Sequence, residues 1–124
     1  GMAGLLQAHP DLGGIACVSS PGPPGAARAV IAAGKQGKVK IWGLSLPSEN
    51  REYLKDGVVH GLILWDPAKL TYLTAKLVND YLDGKEPVDG MEVKDIGKLS
   101  VSKDGIIIMP GVVITKENVD QFDF

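Results

Sequence analysis

Apolar residues in the first two-thirds of the chain fall into short unbroken runs separated by stretches with helical spacing. The runs are 15–18 (Ile15-Ala16-Cys17-Val18), 38–44 (Lys38 to Leu44) and 58–64 (Val58 to Leu64, interrupted only by His60 and Gly61). Runs this short, and rich in β-branched residues, suit strands buried on both faces of a parallel sheet. Between them, 26–33 (AARAVIAA) predicts a helix that stops at Gly34. Residues 48–55 predict a second, with Ser48 as its cap and Asp56-Gly57 as its stop. Asp66-Pro67 then opens a third. Asp can accept the free N–H groups of a first helical turn, and Pro at the first position gives up a donor that would be unpaired anyway. Leu70, Leu73, Leu77 and Tyr81 follow at helical spacing over 69–82, with Gly84 as the stop. Strand and helix thus alternate three times across short connections, which predicts an α/β fold, a three-layer lobe built on a parallel sheet.

The ends of the chain read differently. Residues 3–8 (AGLLQA) are too few for a stable helix of their own and read as the last turns of something longer. After Gly84 a polar loop leads to three short expected strands, 91–96, 98–102 and 105–109, with Lys103-Asp104-Gly105 as a hairpin turn. Pro110-Gly111 breaks the chain before 112–114, and Thr115 is a suitable cap for a last helical turn through Asn118. This part forms a small β-rich C-terminal extension.

Length and composition narrow the function classes. A chain of 124 residues, 44% hydrophobic and 23% charged, is expected to form one globular domain, residues 2–124, without a disulfide or metal staple. Gly1 before Met2 reads as a residue left by an expression tag. A formal charge of −2 with both signs scattered gives no footprint for nucleic acid. No segment is long and apolar enough for membrane insertion. The single Cys17 excludes an internal disulfide. The N-terminus carries no signal-peptide pattern, so the expectation is either a cytoplasmic protein or a signal upstream of this sequence.

Several stretches invite chemistry. Gly43-Leu44-Ser45-Leu46-Pro47 resembles a G-x-S-x-G nucleophile elbow whose last Gly is replaced, with only His9 and His60 available as bases. A small α/β hydrolase acting through Ser45 is therefore the weakest alternative, and Ser45 reads better as a turn residue. Residues 19–25 (SSPGPPG), ahead of a helix, invite a phosphate or another compact polar ligand, since a helix N-terminus offers free N–H groups. A rigid βα turn explains the same prolines without any ligand. No Lys-Ser/Thr follows the glycines as a Walker loop requires, and no cofactor motif is found. His9, His60 and Cys17 lack ligand spacing, so no metal site is expected. His60 reads as a satisfied core or edge residue, and Trp42 as core. Trp65 beside Asp66 is the more suggestive pair, because an indole face with a carboxylate can grip a polyol: the ring stacks on C–H faces and the carboxylate accepts hydroxyls. Packing and capping explain the same two residues.

An ordered set of stretches carries a resemblance. They are Pro10-Asp11-Leu12, Pro24-Gly25-Ala26-Ala27, Gly43 to Pro47, Tyr53 to Gly57, Leu64-Trp65-Asp66-Pro67 and the ending Lys116 to Phe124. Together they resemble the C-terminal portion of type I periplasmic binding proteins, in the branch that binds rhamnose or, as Lsr-type receptors, autoinducer-2. The resemblance spans essentially the whole chain after Gly1. It implies a two-lobed receptor that closes on a sugar-like ligand and delivers it to an ABC transporter permease, without catalysis, in the periplasm or another extracytoplasmic space. It further implies ligand contacts at Pro24 and Ala26, and at Trp65 and Asp66 near the cleft between lobes. The local sequence departs from the autoinducer-2 pattern, with Pro-Gly-Pro before Pro24 and glycine at position 25. The N-terminal lobe would be missing, so the helix at 69–82 would lose its partner. The expectation is that its apolar stripe folds back onto its own sheet or is buried in a homodimer. The alternative from another class is an effector-sensing domain of a transcription regulator, which shares the fold.

Overall fold

The computed structural model describes residues 1–124. In chain order its elements are α1 (Met2–Ala8), β1 (Gly14–Cys17), α2 (Gly22–Ala32), β2 (Lys40–Gly43), α3 (Pro47–Lys55), β3 (Gly61–Leu64), α4 (Pro67–Leu82), β4 (Glu92–Val93), β5 (Gly97–Lys98), β6 (Ser100–Val101), β7 (Ile107–Ile108) and β8 (Val112–Ile114). A 3-10 turn at Val119–Gln121 follows. The chain divides into two compact units: Gly1–Leu64 with Val113–Phe124, and Trp65–Val112.

The first unit is built on a four-stranded sheet in the order β1-β2-β3-β8. β1 pairs with β2 and β2 with β3 in parallel, as the alternating pattern predicts. The register sets Ala16 beside Trp42 and Trp42 beside Gly61. Side chains alternate across the sheet. Ile41 and Leu62 therefore point to the covered face, where Ala26, Ala27, Val30, Leu54 and Ile114 complete a core with almost no solvent exposure. α2 packs on β1 and β2, and α3 packs on α2 and on the 3-10 turn. Both crossover helices thus lie on one face of the sheet.

Trp42 is on the other face and is not core. Its indole lies over Gly61, where an added Cβ would sit 2.3 Å from the ring. Glycine is the residue that lets the neighbouring strand approach under the ring. A similar fit occurs on the covered face, where a Cβ at Gly43 would stand 2.5 Å from Cys17.

Several boundaries differ from the sequence reading, each for a local reason. α2 starts at Gly22 and not at Ala26, because Pro23 and Pro24 fit a first helical turn that needs no donor. α3 starts at Pro47, and Ser48 is not its cap: Leu46 is, without a side-chain bond. The Ser48 N–H instead donates to the Phe124 carbonyl at 3.0 Å. β3 is shorter than 58–64 because the N–H groups of Val58 and Val59 both turn back to the Tyr53 carbonyl. Residues 2–8 are helical, with Leu6 buried. Thr115 caps the turn through Asn118 as expected: its Oγ1 accepts the Glu117 N–H at 3.4 Å, its carbonyl accepts the Val119 N–H at 3.0 Å, and its own N–H donates to Asn118 Oδ1 at 2.8 Å before the chain enters the 3-10 turn.

The second unit consists of α4 and two small antiparallel pairs, β4 with β5 and β6 with β7. The three strands expected over 91–109 shrink to these two-residue pairs. The stripe on α4 is partly covered within the second unit, by a partner that the sequence reading did not name. Leu73 is 3% exposed and clusters with Val93 and Leu99, while Leu77, Met91, Ile96, Ile107 and Met109 pack around them. The β-rich extension is what covers the helix. Leu70 and Tyr81, at the ends of the stripe, stay exposed.

Candidate functional site

Ligands of open α/β sheets collect beyond the C-terminal ends of parallel strands. In this chain those ends lead into residues 18–21 after β1, 44–46 after β2, and Trp65-Asp66 after β3.

The loop after β1 is held tightly. The Gly22 N–H donates to Ser19 O at 2.9 Å and the Gly25 N–H to Pro21 O at 3.1 Å, while Pro23 and Pro24 have no N–H to offer. The first turn of α2 therefore presents no free donor, and the phosphate reading of this loop fails on that ground. Ala26 is 1% exposed and Pro24 is buried. Pro24 lines a depression of about 380 Å3 shared with Pro21, Arg28, Glu49 and Tyr53.

The loop after β2 is tied to the loop after β1. Ser45 Oγ donates to Ser20 O at 2.6 Å and accepts from Asn50 Nδ2 at 2.8 Å, and that amide also donates to Leu46 O. Ser45 and Asn50 are both 0% exposed. A hydroxyl buried this completely, already donating to a carbonyl and with no imidazole beside it, is not a nucleophile. The hydrolase alternative is overturned here. Asn50 Oδ1 is buried without a partner, a cost of about 1–3 kcal/mol. Sequence reading missed Asn50, although an Asn inside a short helix is a weak flag, since its amide competes for backbone groups.

At the start of α4, Asp66 caps the helix as its sequence predicts. Oδ1 accepts from the N–H groups of Ala68 and Lys69 at 2.9 and 3.1 Å. One oxygen does all the capping, which leaves Oδ2 uncommitted. Trp65 is 42% exposed, so much of its ring is open to solvent. Pro24 and Ala26 belong to the first unit, Trp65 and Asp66 to the second.

Two further features were not foreseen. Arg51 clamps the C-terminal segment: Nη1 meets Asp120 Oδ1 at 2.8 Å and Nη2 donates to Phe122 O at 2.6 Å. Lys55 Nζ joins the same carboxylate at 2.9 Å. The Lys55 and Arg51 contacts hold the Asp120 carboxyl below its ordinary range. Phe122 and Phe124 meet edge to face at 6.0 Å. His60 Nδ1 accepts the Ile41 N–H at 3.3 Å, and partial burial, helped by the Lys40 charge, pushes its pKa down. His60 thus serves as the satisfied edge residue its position predicts. No group of three or more His, Cys, Asp or Glu side chains is placed to hold a metal ion.

The sequence model of the periplasmic binding protein domain matches residues 1–86, more than half of the chain. The chain belongs to the periplasmic binding protein family. Solved structures of periplasmic binding proteins agree in fold. A sugar ABC transporter protein from Actinomyces odontolyticus is 33% identical with a TM-score of 0.74, over 99% of this chain and 41% of that one. LsrB from Clostridium saccharobutylicum, solved in complex with AI-2, is 24% identical with a TM-score of 0.72, over 99% of this chain and 43% of that one. An ABC transporter solute-binding protein from Clostridium phytofermentas with bound L-rhamnose is 24% identical with a TM-score of 0.71, over 98% of this chain and 43% of that one. The neighbours thus include the rhamnose and autoinducer-2 types that the ordered stretches resemble. The chain spans well under half the length of these relatives.

Proposed function

We propose that this chain is the C-terminal portion of an extracytoplasmic solute-binding protein serving an ABC importer, one jaw of a pocket for a small sugar or an autoinducer-2-like ligand. The observation that carries this reading is the match of residues 1–86 to the periplasmic binding protein domain. The relatives solved with AI-2 and L-rhamnose support the ligand class. The half-exposed Trp65 ring would stack on a sugar face, and the uncommitted Asp66 Oδ2 would accept hydroxyls. Ala26 is too buried to offer side-chain surface, so any contact there would use backbone, with Pro24 beside it. Catalysis has no place in this reading. The permease and the missing N-terminal lobe would be its protein partners. No helix is long and apolar enough to cross a membrane.

One jaw supplies half the contacts and no closure, so the isolated chain should bind weakly. Titrating L-rhamnose to tens of millimolar should move the amide signals of Trp65 and Asp66 in a 1H–15N spectrum, and Trp65→Ala should abolish the shift. Submicromolar affinity of this chain in calorimetry would contradict the half-pocket. Absence of any shift at these residues, with both sugars and autoinducer-2, would contradict the site.

A further inference from the structure

The end of the first unit's sheet away from the loops at 18–21 and 44–46 carries a concavity of its own. Lys40 opens β2 and His60 immediately precedes β3, so both stand at the N-terminal ends of parallel strands. Lys116 and Glu117 come in just after β8, and Leu54 from the last turn of α3. With Val59 these residues line a depression of about 320 Å3, a volume at the small end of ligand sites. Leu54 and Val59, each 1% exposed, give it an apolar lining.

The charges around this lining do not cancel. The Glu117 carboxylate is engaged on its own loop by the Thr115 hydroxyl, which holds its carboxyl below the ordinary range. The ion pairs of the chain use Arg51, Lys55 and Lys76, and neither Lys40 nor Lys116 is among them. Nor does the end of α3 offer open carbonyls, since those of Glu52, Tyr53 and Leu54 already accept N–H groups from residues 56–59. His60 is half-buried beside the two lysines, and desolvation, then the Lys40 charge, pushes its pKa down. Two ammonium groups without a carboxylate, set around buried carbon, favour an anion that brings carbon with it.

We propose that this depression is a second binding site, for a small organic anion whose carboxylate meets Lys40 and Lys116 and whose apolar body rests on Leu54 and Val59. An inorganic anion satisfies the ammonium groups but leaves the apolar lining wet, and a neutral aromatic molecule does the reverse. Lysine is a compact point charge with rotatable donors, so it reads charge more than shape, and the choice among anions falls to the lining. The bound carboxylate offsets the Lys40 charge felt by His60, so the imidazole titrates at higher pH when the site is filled. Lys40, Lys116 and Glu117, the other ionisable side chains of the depression, keep their charge across that range. The site lies at the opposite end of the strands from the loops at 18–21 and 44–46, and it stands independently of the solute reading.

The test titrates the 15N-labelled 124-residue chain with sodium benzoate and, in parallel at constant ionic strength, with benzyl alcohol and with inorganic phosphate. Benzoate should move the amide signals of His60, Thr115 and Glu117 along one saturable curve and raise the pH at which the His60 ring titrates. Benzyl alcohol and phosphate should each bind at least about threefold more weakly. Lys40→Gln and Lys116→Gln, both at exposed positions that folding tolerates, should each weaken benzoate about threefold, the size of a solvent-screened charge contact. Lys103→Gln, exposed in the second unit, should change nothing. Shifts that never saturate, phosphate binding as tightly as benzoate, or benzoate binding unchanged in both depression variants would each overturn the site. L-rhamnose should leave His60 unmoved, so a failure here and a failure at Trp65 and Asp66 are read from different signals.

Discussion

Replacing Leu73 with Ala asks whether the β-rich extension is what holds α4. Leu73 is 3% exposed and sits at the centre of the second unit's cluster, touching the Val93 and Leu99 level of the two hairpin-like pairs. Truncating a leucine this buried removes its transfer free energy and leaves a cavity, together about 2–5 kcal/mol. Leu70, one turn earlier on the helix, is 40% exposed and should lose less than about 1 kcal/mol on the same truncation. The contrast is the measurement. Because each 1.4 kcal/mol is a factor of about ten, the α4 amides from Leu73 to Leu82 should exchange at least roughly 30-fold faster in Leu73→Ala. In Leu70→Ala the change should stay within about fivefold. Equal, small effects from the two substitutions would mean that the cluster does not hold the helix, and the expectation of a helix waiting for an outside partner would return.

Other consequences follow from single contacts. Asp66→Ala should cost α4 about 1 kcal/mol, seen as faster exchange at Ala68 and Lys69, because Oδ1 accepts both N–H groups. Asp66→Asn should keep most of the cap while weakening the polyol, which separates capping from ligand contact. Gly61→Val would drive a methyl-bearing carbon into Trp42, so the ring must swing out; we expect a red-shifted tryptophan emission and a loss of about 1–3 kcal/mol in urea melts. The Asp120 carboxyl is held below its usual 3.8 by Lys55 and then Arg51, so its contribution to folding is present above that value. It is lost as pH falls through the lower folded value. The Phe122 and Phe124 signals should therefore turn mobile in acid before the sheet melts. Arg51→Ala should loosen the same segment at neutral pH, and an unchanged tail in that variant would refute the clamp.

Wherever one residue's own chemistry decides the backbone, the chain announced the outcome. Three apolar runs separated by helical spacing give a parallel αβ alternation, and it formed. Asp66-Pro67 is a cap and a first helical turn in any context, and Gly57 and Gly84 take the positive φ of 69° and 77° that ends their helices. The ordered stretches from Pro10 to Phe124 likewise pointed to the family. What local chemistry leaves open is which surfaces meet. Trp42 has the composition of a core residue, but its parity with Gly61 and the single direction of the crossovers put it on an open face. The α4 stripe looks the same whether it meets a lobe, a sheet or a hairpin; only packing against Val93 and Leu99 chose the last. The Ser20–Ser45–Asn50 tie and the Arg51 clamp join residues 25 and 71 positions apart, separations across which neither periodicity nor propensity carries a signal. Local interactions are written in the order of the residues, whereas burial and long-range hydrogen bonds depend on where the folded chain brings its distant parts.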